Sequence, residues 1–219
     1  MVGDKPGKDR SFLSSLLITY FRCLIAGVIT SNQLKNLLKA IPESTDIEAA
    51  NMRRMALFAG MRRGELFKLK WADIDFERGF ITIRDPKGGV SQKIPLNDQA
   101  REVLKNHPET SEHVFVRGDG KPFTDIRRRV NPIKKAAGIP DDFRALHGLR
   151  HVYASMLASS GQVDMYTLQK LLTHKSPLMT QRYAHLRDEA LKKASALAGN
   201  IIEQTAKEID QSNTNAIGA

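Results

Sequence analysis

The stretch from His147 to His185 constrains this chain more than any other part of it. It contains apolar helical segments, and four chemically active side chains follow one another along it: His147, Arg150, His174 and Tyr183. His147 and Arg150 are three positions apart, so they share one face of a helix. Several basic groups close to one phenol suit an anionic phosphodiester better than a neutral substrate. We therefore expect the functional site here.

The charge of the chain points to a polyanionic partner. Among 219 residues, 34 Lys and Arg stand against 24 Asp and Glu, a formal net charge of +10. Such a balance favours nucleic acid or an anionic membrane surface. The single cysteine, Cys23, excludes an internal disulfide and a cysteine-built zinc site, which fits a reducing, cytosolic compartment.

The segment from Ser11 to Ile29 is strongly apolar and follows a polar start. A transmembrane helix is one interpretation, but Arg22 near its middle would cost about 2.5–3.5 kcal/mol. No small-residue cleavage site of a signal peptide follows. A helix packed on the next domain is the favoured alternative, and we expect no membrane association.

Capping patterns predict the helices of the following domain. Thr30 with Gln33 and Thr45 with Glu48 each have the spacing of a capping box. Asn97 can cap a further helix, and Thr124 a basic one that Pro132 should kink. In G-M-R-R-G-E-L, the carboxylate of Glu65 is three positions from Arg62 and can orient its guanidinium.

Between these helices the apolar period changes to that of strands. The runs Phe80–Arg84 and Ser91–Leu96 flank D-P-K-G-G-V and predict a β-hairpin with Lys87 at its tip. His113–Val116 is predicted as another short strand. The fold class is therefore α+β, mainly α-helical, with a small antiparallel β-sheet packed beside the helices.

Apolar residues recur at helical spacing from Asp188 to Ala206 and predict an amphipathic C-terminal helix. The polar sequence after it is expected to fray. We divide the chain into an N-terminal apolar segment (1–29), one main domain (30–202) and a polar C-terminal tail (203–219).

A set of motifs occurs in one order: G-M-R-R-G-E-L, the hairpin lysine, H-G-L-R-H and L-T-H-K-S-P-L-M-T-Q-R-Y-A-H. Together they resemble the catalytic domain of the tyrosine recombinases, the phage integrase family, over roughly residues 30–197. The resemblance implies the fold of a DNA breaking-rejoining catalytic core. It also implies that DNA is cut and rejoined through a covalent 3′-phosphotyrosyl intermediate, as in site-specific recombination and integration of mobile DNA.

The resemblance assigns a role to each matching residue. Tyr183 would be the nucleophile, and Arg62 and Arg150 would bind the non-bridging phosphate oxygens. Lys87 would protonate the leaving 5′-oxygen. The remaining candidates are histidines, which would assist proton transfer or bond a phosphate oxygen: His147 and His174.

One position departs from the family pattern, because relatives with L-G-H have glycine where this chain has Thr173. This difference concerns the local backbone geometry and not the chemistry. Of the other tyrosines, Tyr153 and Tyr166 occupy core-like helical positions and are predicted to be structural.

We expect DNA contacts to come from phosphate-binding basic residues in two regions: Lys68, Lys70, Arg127, Arg128, Arg129, Lys134 and Lys135. The resemblance implies no nucleotide cofactor, since the phosphotyrosine keeps the energy of the broken bond. It implies no metal either, since arginine and lysine supply the charge that a metal would. His147 and His151 have zinc-helix spacing but lack the glutamate of H-E-x-x-H.

Three functions stay open at this stage. The first is a recombinase acting as a tetramer on synapsed double-stranded DNA, joined through its C-terminal helix, with accessory DNA-bending proteins as further partners. The second is a type IB topoisomerase-like nicking and religating activity. The third is a DNA-binding remnant, because about thirty residues before Thr30 are too few for the family's usual N-terminal domain. In each case we expect a cytoplasmic, nucleoid-associated protein.

Overall fold

The computed structural model describes residues 29–84 and 90–217. Lys87 and the apolar segment up to residue 28 lie outside this part of the chain. The described residues form a small sheet and these helices: α1 (Ser31–Ala40), α2 (Ile47–Phe58), α3 (Arg63–Lys68), α4 (Asp98–Lys105), α5 (Arg127–Ala136), α6 (Ala145–Ser159), α7 (Met165–Leu171), α8 (Leu178–Gln181) and α9 (Ala184–Ile217).

The core of the domain forms where α2 packs on α6. Helix α2 is buried on most sides, because α4 and α5 also pack against it. Met52 and Met55 are fully buried. Asn51 and His107 form a buried polar pair, whose Nδ2 and Nδ1 atoms are 2.9 Å apart. This pairing satisfies polar groups that would otherwise be costly to bury.

The sheet has the order β1–β2–β3 and is antiparallel throughout: β1 (Ile74–Asp75), β2 (Phe80–Ile83) and β3 (Gln92–Pro95). The expected hairpin is thus confirmed, with Ile81 opposite Ile94 and both side chains buried. Strand β3 also contacts α7, so the hairpin stands beside the helix that precedes His174. The predicted strand at His113–Val116 is reduced to isolated bridges at its two ends.

The helix caps agree with the sequence in part. Both bonds of the Thr30–Gln33 box are present, and Asn97 caps α4. The Thr45–Glu48 box was wrong: Asp46 caps α2, and the Glu48 carboxylate accepts instead from the distant Val116 N–H. Likewise α5 starts after Ile126, and no side chain caps it, so Thr124 is not its cap.

Helix α9 is longer than predicted. It continues to Ile217, through most of the region expected to be a frayed tail. From residue 191 to 207 every side chain is exposed, including several large apolar ones: Leu191, Leu197, Ile201 and Ile202. Within the described ranges, no helix meets the length and apolarity needed to cross a membrane.

Candidate active site

Helix α6 carries three residues of the site on its first two turns. His147, Arg150 and His151 belong to it, and the shared face predicted for the first two is confirmed. Gly148 allows this helix to pack closely, because a Cβ there would lie 2.3 Å from the ring of Phe143.

Arg62 is held by two neighbours. Its Nη1 lies 2.6 Å from Oε1 of Glu65, and its backbone N–H donates to the other carboxylate oxygen at 2.7 Å. The predicted orienting contact by Glu65 is therefore present. The same guanidinium also donates to the hydroxyl and, at 3.2 Å, to the carbonyl oxygen of Thr173.

Arg150 is buried beside Arg62, with 4% of its surface exposed. It donates to the carbonyl oxygen of Gly60 at 2.5 Å and to that of Leu172, and it lies 4.0 Å from Glu65. Burial, and then the charge of Arg62, lowers the pKa of Arg150 to about 10, so the guanidinium stays charged at neutral pH.

His174 follows Thr173 in the turn after α7. Its Nδ1 lies 2.8 Å from the hydroxyl of Thr180, an interaction that leaves Nε2 for another partner. Burial and the nearby charge of Arg150 lower the pKa of His174 to about 4, which keeps the imidazole neutral at pH 7.

Tyr183 is buried, with 5% of its surface exposed, among the apolar side chains of α6 and α7. Its hydroxyl lies 2.5 Å from Nδ1 of His151, whose Nε2 is in turn 3.0 Å from Nε2 of His147. His147 is exposed, so this chain of contacts leads from the buried phenol to the surface.

The pKa shifts of Tyr183, His151 and His147 all favour the neutral form of each group. Burial raises the pKa of Tyr183, while the positive charges of Arg182 and Arg150 oppose that rise. Burial and the neighbouring His147 lower the pKa of His151 to about 4, and burial also lowers that of His147. A neutral His151 can accept the phenol proton at Nδ1 while its Nε2–H donates to His147.

A groove of about 1030 Å³ adjoins the site. It runs between α3, α5 and the start of α6 and is lined by six basic residues: Arg62, Arg63, Arg127, Lys134, Arg144 and His147. Asp141 and Asp142 line it as well. The predominance of cations makes the groove suited to an anionic chain.

The residues predicted to bind DNA are placed unequally. Arg127 and Lys134 line the groove, but Lys134 is buried and donates to the Asp141 carbonyl oxygen at 2.7 Å. Arg127 also engages the carboxylate of Asp125, and two others engage carboxylates: Arg129 that of Asp46 and Lys70 that of Glu112. Arg128, Lys135 and Lys68 are exposed.

Some features of the site were missed from the sequence. The role of His151 depends on Tyr183, which is 32 positions away, and only its spacing from His147 was visible. Arg63 and Arg144 were not singled out. Tyr166, predicted at a core-like position, is 67% exposed, whereas Tyr153 is half-buried as expected. Across the described ranges, no group of three or more His, Cys, Asp or Glu residues could hold a metal ion.

The fold is that of a tyrosine recombinase catalytic domain. It matches the crystal structure of XerA recombinase with a TM-score of 0.62 at 25% identity, covering 78% of this chain and 64% of that one. It matches a lambda integrase(75-356) dimer bound to a COC′ core site with a TM-score of 0.57 at 26% identity, covering 69% of this chain and 58% of that one.

The sequence comparison assigns the family. Residues 27–190 match the phage integrase family, and the chain belongs to it. It is 31% identical over 181 residues to tyrosine recombinase XerA of Pyrococcus furiosus, covering 80% of this chain and 62% of that protein. XerA of Thermococcus kodakarensis is also 31% identical, with the same 62% covered. The chain thus spans about three fifths of the length of these relatives.

Proposed function

We propose that this chain is a site-specific DNA strand transferase that cleaves and rejoins DNA through Tyr183. The observation that carries the proposal is the contact of the Tyr183 hydroxyl with His151, near the positive charges of Arg182 and the buried Arg150. Free tyrosine has a pKa near 10, so nucleophilic attack at neutral pH needs both a proton acceptor and neighbouring positive charge.

In the cleavage step, the Tyr183 oxygen forms a bond to the scissile phosphorus while the bond to the 5′-oxygen breaks. The phenol proton passes to His151 and onward to His147. Lys87 supplies the proton that the departing 5′-oxygen takes up. The 3′-phosphotyrosyl bond keeps the energy for rejoining, and attack by a 5′-hydroxyl reverses the step.

Arg62, Arg150 and His174 stabilise the charge that builds on the non-bridging oxygens. The two guanidiniums are preorganised by carboxylate and carbonyl groups, so they need little rearrangement at the transition state. The free Nε2 of His174 supplies a neutral donor if the proton of its imidazole resides there. No step requires a metal or a nucleotide.

Double-stranded DNA would lie along the basic groove, held mainly through its phosphates. Arg63, Arg127 and Arg144 extend this surface from the catalytic residues. Binding that depends on phosphates weakens steeply with salt through counterion release. Arg63→Ala and Arg144→Ala should each reduce the salt slope by about one unit, and an affinity independent of salt would contradict this surface.

The decisive test is covalent trapping on nicked DNA that carries a core site. We expect a denaturation-resistant adduct with the wild-type chain and none with Tyr183→Phe. Tyr153→Phe is the matched control, because Tyr153 is a half-buried tyrosine of the same domain, on α6, whose replacement should still permit the adduct. Failure of the wild-type chain to form an adduct on DNA that it binds would overturn the proposal.

Assembly distinguishes recombination from topoisomerase-like relaxation. The apolar side chains that α9 leaves exposed favour association with a second copy, as recombination in a tetramer requires. Relaxation of supercoiled DNA needs a single protomer. Two assays separate these functions. One measures strand exchange between two linear DNAs, and the other measures relaxation of supercoiled DNA at a concentration that keeps the protein monomeric.

A further inference from the structure

We propose that Thr173 is a positioning residue for Arg62, which it holds through its hydroxyl in the orientation that meets the scissile phosphate. The inference rests on the proposed role of Arg62 in DNA cleavage. It assigns a task to the position at which this chain departs from the glycine of related sequences.

The backbone of Thr173 is unusual. Its φ of +47° makes it the one non-glycine residue with positive φ among those the structure describes, and only 3% of its surface is exposed. Positive φ is disfavoured for a β-branched side chain, and glycine would adopt it without steric cost. A threonine in this conformation indicates that its side chain contributes something glycine lacks.

The contacts of the hydroxyl identify that contribution. The Thr173 oxygen accepts a hydrogen bond from Nη1 of Arg62, and the hydroxyl donates to Oε1 of Glu65 at 3.2 Å. Glu65 is itself 2.6 Å from the same Nη1, so the three groups form a closed triangle. The Thr173 hydroxyl therefore acts both as a donor and as an acceptor.

Backbone carbonyl groups of the same turn also bind the two arginines. The Thr173 carbonyl accepts from Nη2 of Arg62, and the carbonyl of Leu172 accepts from Arg150. His174 directly follows Thr173 in this turn. With three of its five N–H groups engaged by Glu65 and Thr173, Arg62 retains two for a phosphate.

Two replacements separate the hydroxyl from the shape of the side chain. Thr173→Val keeps the branched side chain and loses the hydroxyl, whereas Thr173→Ser keeps the hydroxyl and loses a methyl group. Thr173→Gly removes both and relieves the backbone. Ser159→Ala serves as a control for the loss of a buried hydroxyl elsewhere in the domain, since Ser159 donates to the Ser155 carbonyl oxygen at 2.6 Å.

The experiment measures the single-turnover rate of adduct formation on nicked core-site DNA at saturating protein. We expect Thr173→Val and Thr173→Gly to slow it by about tenfold or more, since misplacement of a catalytic group carries costs of this size. Thr173→Ser and Ser159→Ala should stay within about threefold of wild type. The Kd for DNA should be unchanged, and thermal melting verifies that each variant is folded.

A double-mutant cycle tests whether the effect passes through Arg62. In an Arg62→Ala background, adding Thr173→Val should cause no further loss, because the group that Thr173 positions is gone. Full additivity of the two losses would overturn the inference, as would equal losses in the serine and valine variants. Wild-type rates in the valine and glycine variants would also overturn it.

These outcomes are distinct from failure of the proposed function. If the wild-type chain forms no adduct, the catalytic assignment itself fails. If it does form one, the comparison of the Thr173 variants decides this inference alone.

Discussion

The hydroxyl of Tyr183 lies 2.5 Å from Nδ1 of His151. His151 is one helical turn after His147, the histidine to which the family resemblance assigns a role. His147 contacts the other nitrogen of the same imidazole at 3.0 Å. His151 therefore stands between the phenol and the exposed histidine. In the proposed mechanism, His151 is therefore the first residue to receive a proton from Tyr183.

Replacement of His151 by phenylalanine should slow cleavage while leaving DNA binding intact. The variant keeps an aromatic ring against Tyr183 but removes the acceptor. We expect the single-turnover cleavage rate to fall about 100-fold, the lower end for loss of general-base assistance. His185→Phe, an exposed histidine on α9, is the matched control. Equal rates in the two variants would show that His151 takes no part in proton transfer.

Stability should depend on pH through two half-buried histidines, His151 and His174. The pKa values of His151 and His174 are both lowered to about 4 in the folded chain, against 6.5 ordinarily. The unfolded chain therefore binds more protons between these values, and stability rises with pH across that window. This contribution is complete above pH 6.5 and is lost as the pH falls through 4.

Urea unfolding between pH 7.5 and 5 measures this dependence above the main range of carboxylate titration. The midpoint should fall as the pH is lowered, and His151→Gln with His174→Gln together should flatten the slope. An unaltered slope in the double variant would mean that these two histidines do not titrate as the structure indicates.

The backbone at Gly60 should tolerate no side chain. Its φ is +63°, and a Cβ there would lie 2.5 Å from Cδ1 of Tyr153. We expect Gly60→Ala to destabilise the domain by about 2–4 kcal/mol, combining backbone strain with overpacking. Cleavage should also slow, because the Gly60 carbonyl holds Arg150.

The Gly120→Ala variant separates the cost of backbone strain from the cost of overpacking. Gly120 has a φ of +75°, but no atom within 4 Å would meet its Cβ. It should therefore cost only about 1 kcal/mol, the strain of positive φ alone. Similar losses in both variants, measured by chemical denaturation, would mean that the Tyr153 ring moves aside without penalty.

The sequence was informative where a structure depends on neighbours along the chain. The Thr30–Gln33 capping box and the β2–β3 hairpin involve residues close in sequence, and both are present. The face shared by His147 and Arg150 follows from helical spacing alone. Such features need only local geometry, which the residue pattern records.

Predictions failed where a distant contact decided the outcome. Glu48 had the spacing to complete a cap, but its carboxylate is taken by Val116, 68 positions away, and Asp46 caps the helix instead. The bond between Thr173 and Arg62 spans 111 positions. Tyr166 shows the reverse case, since helical spacing suggested burial but 67% of its surface is exposed, and the ammonium group of Lys170 lies over its ring.

The exposed apolar face of α9 should control assembly on DNA. Leu197 and Ile201 are 60% and 54% exposed and are four positions apart, so they share a face. Leu197→Glu and Ile201→Glu should each weaken tetramer formation about tenfold or more, because each forfeits the burial of a large apolar side chain. Sedimentation of protein–DNA complexes measures this, with Asn200→Glu as a control for added charge on the same helix. Binding of a single protomer to a half-site should be unaffected in all three variants. A tetramer that survives both apolar replacements would place the interface elsewhere on the domain.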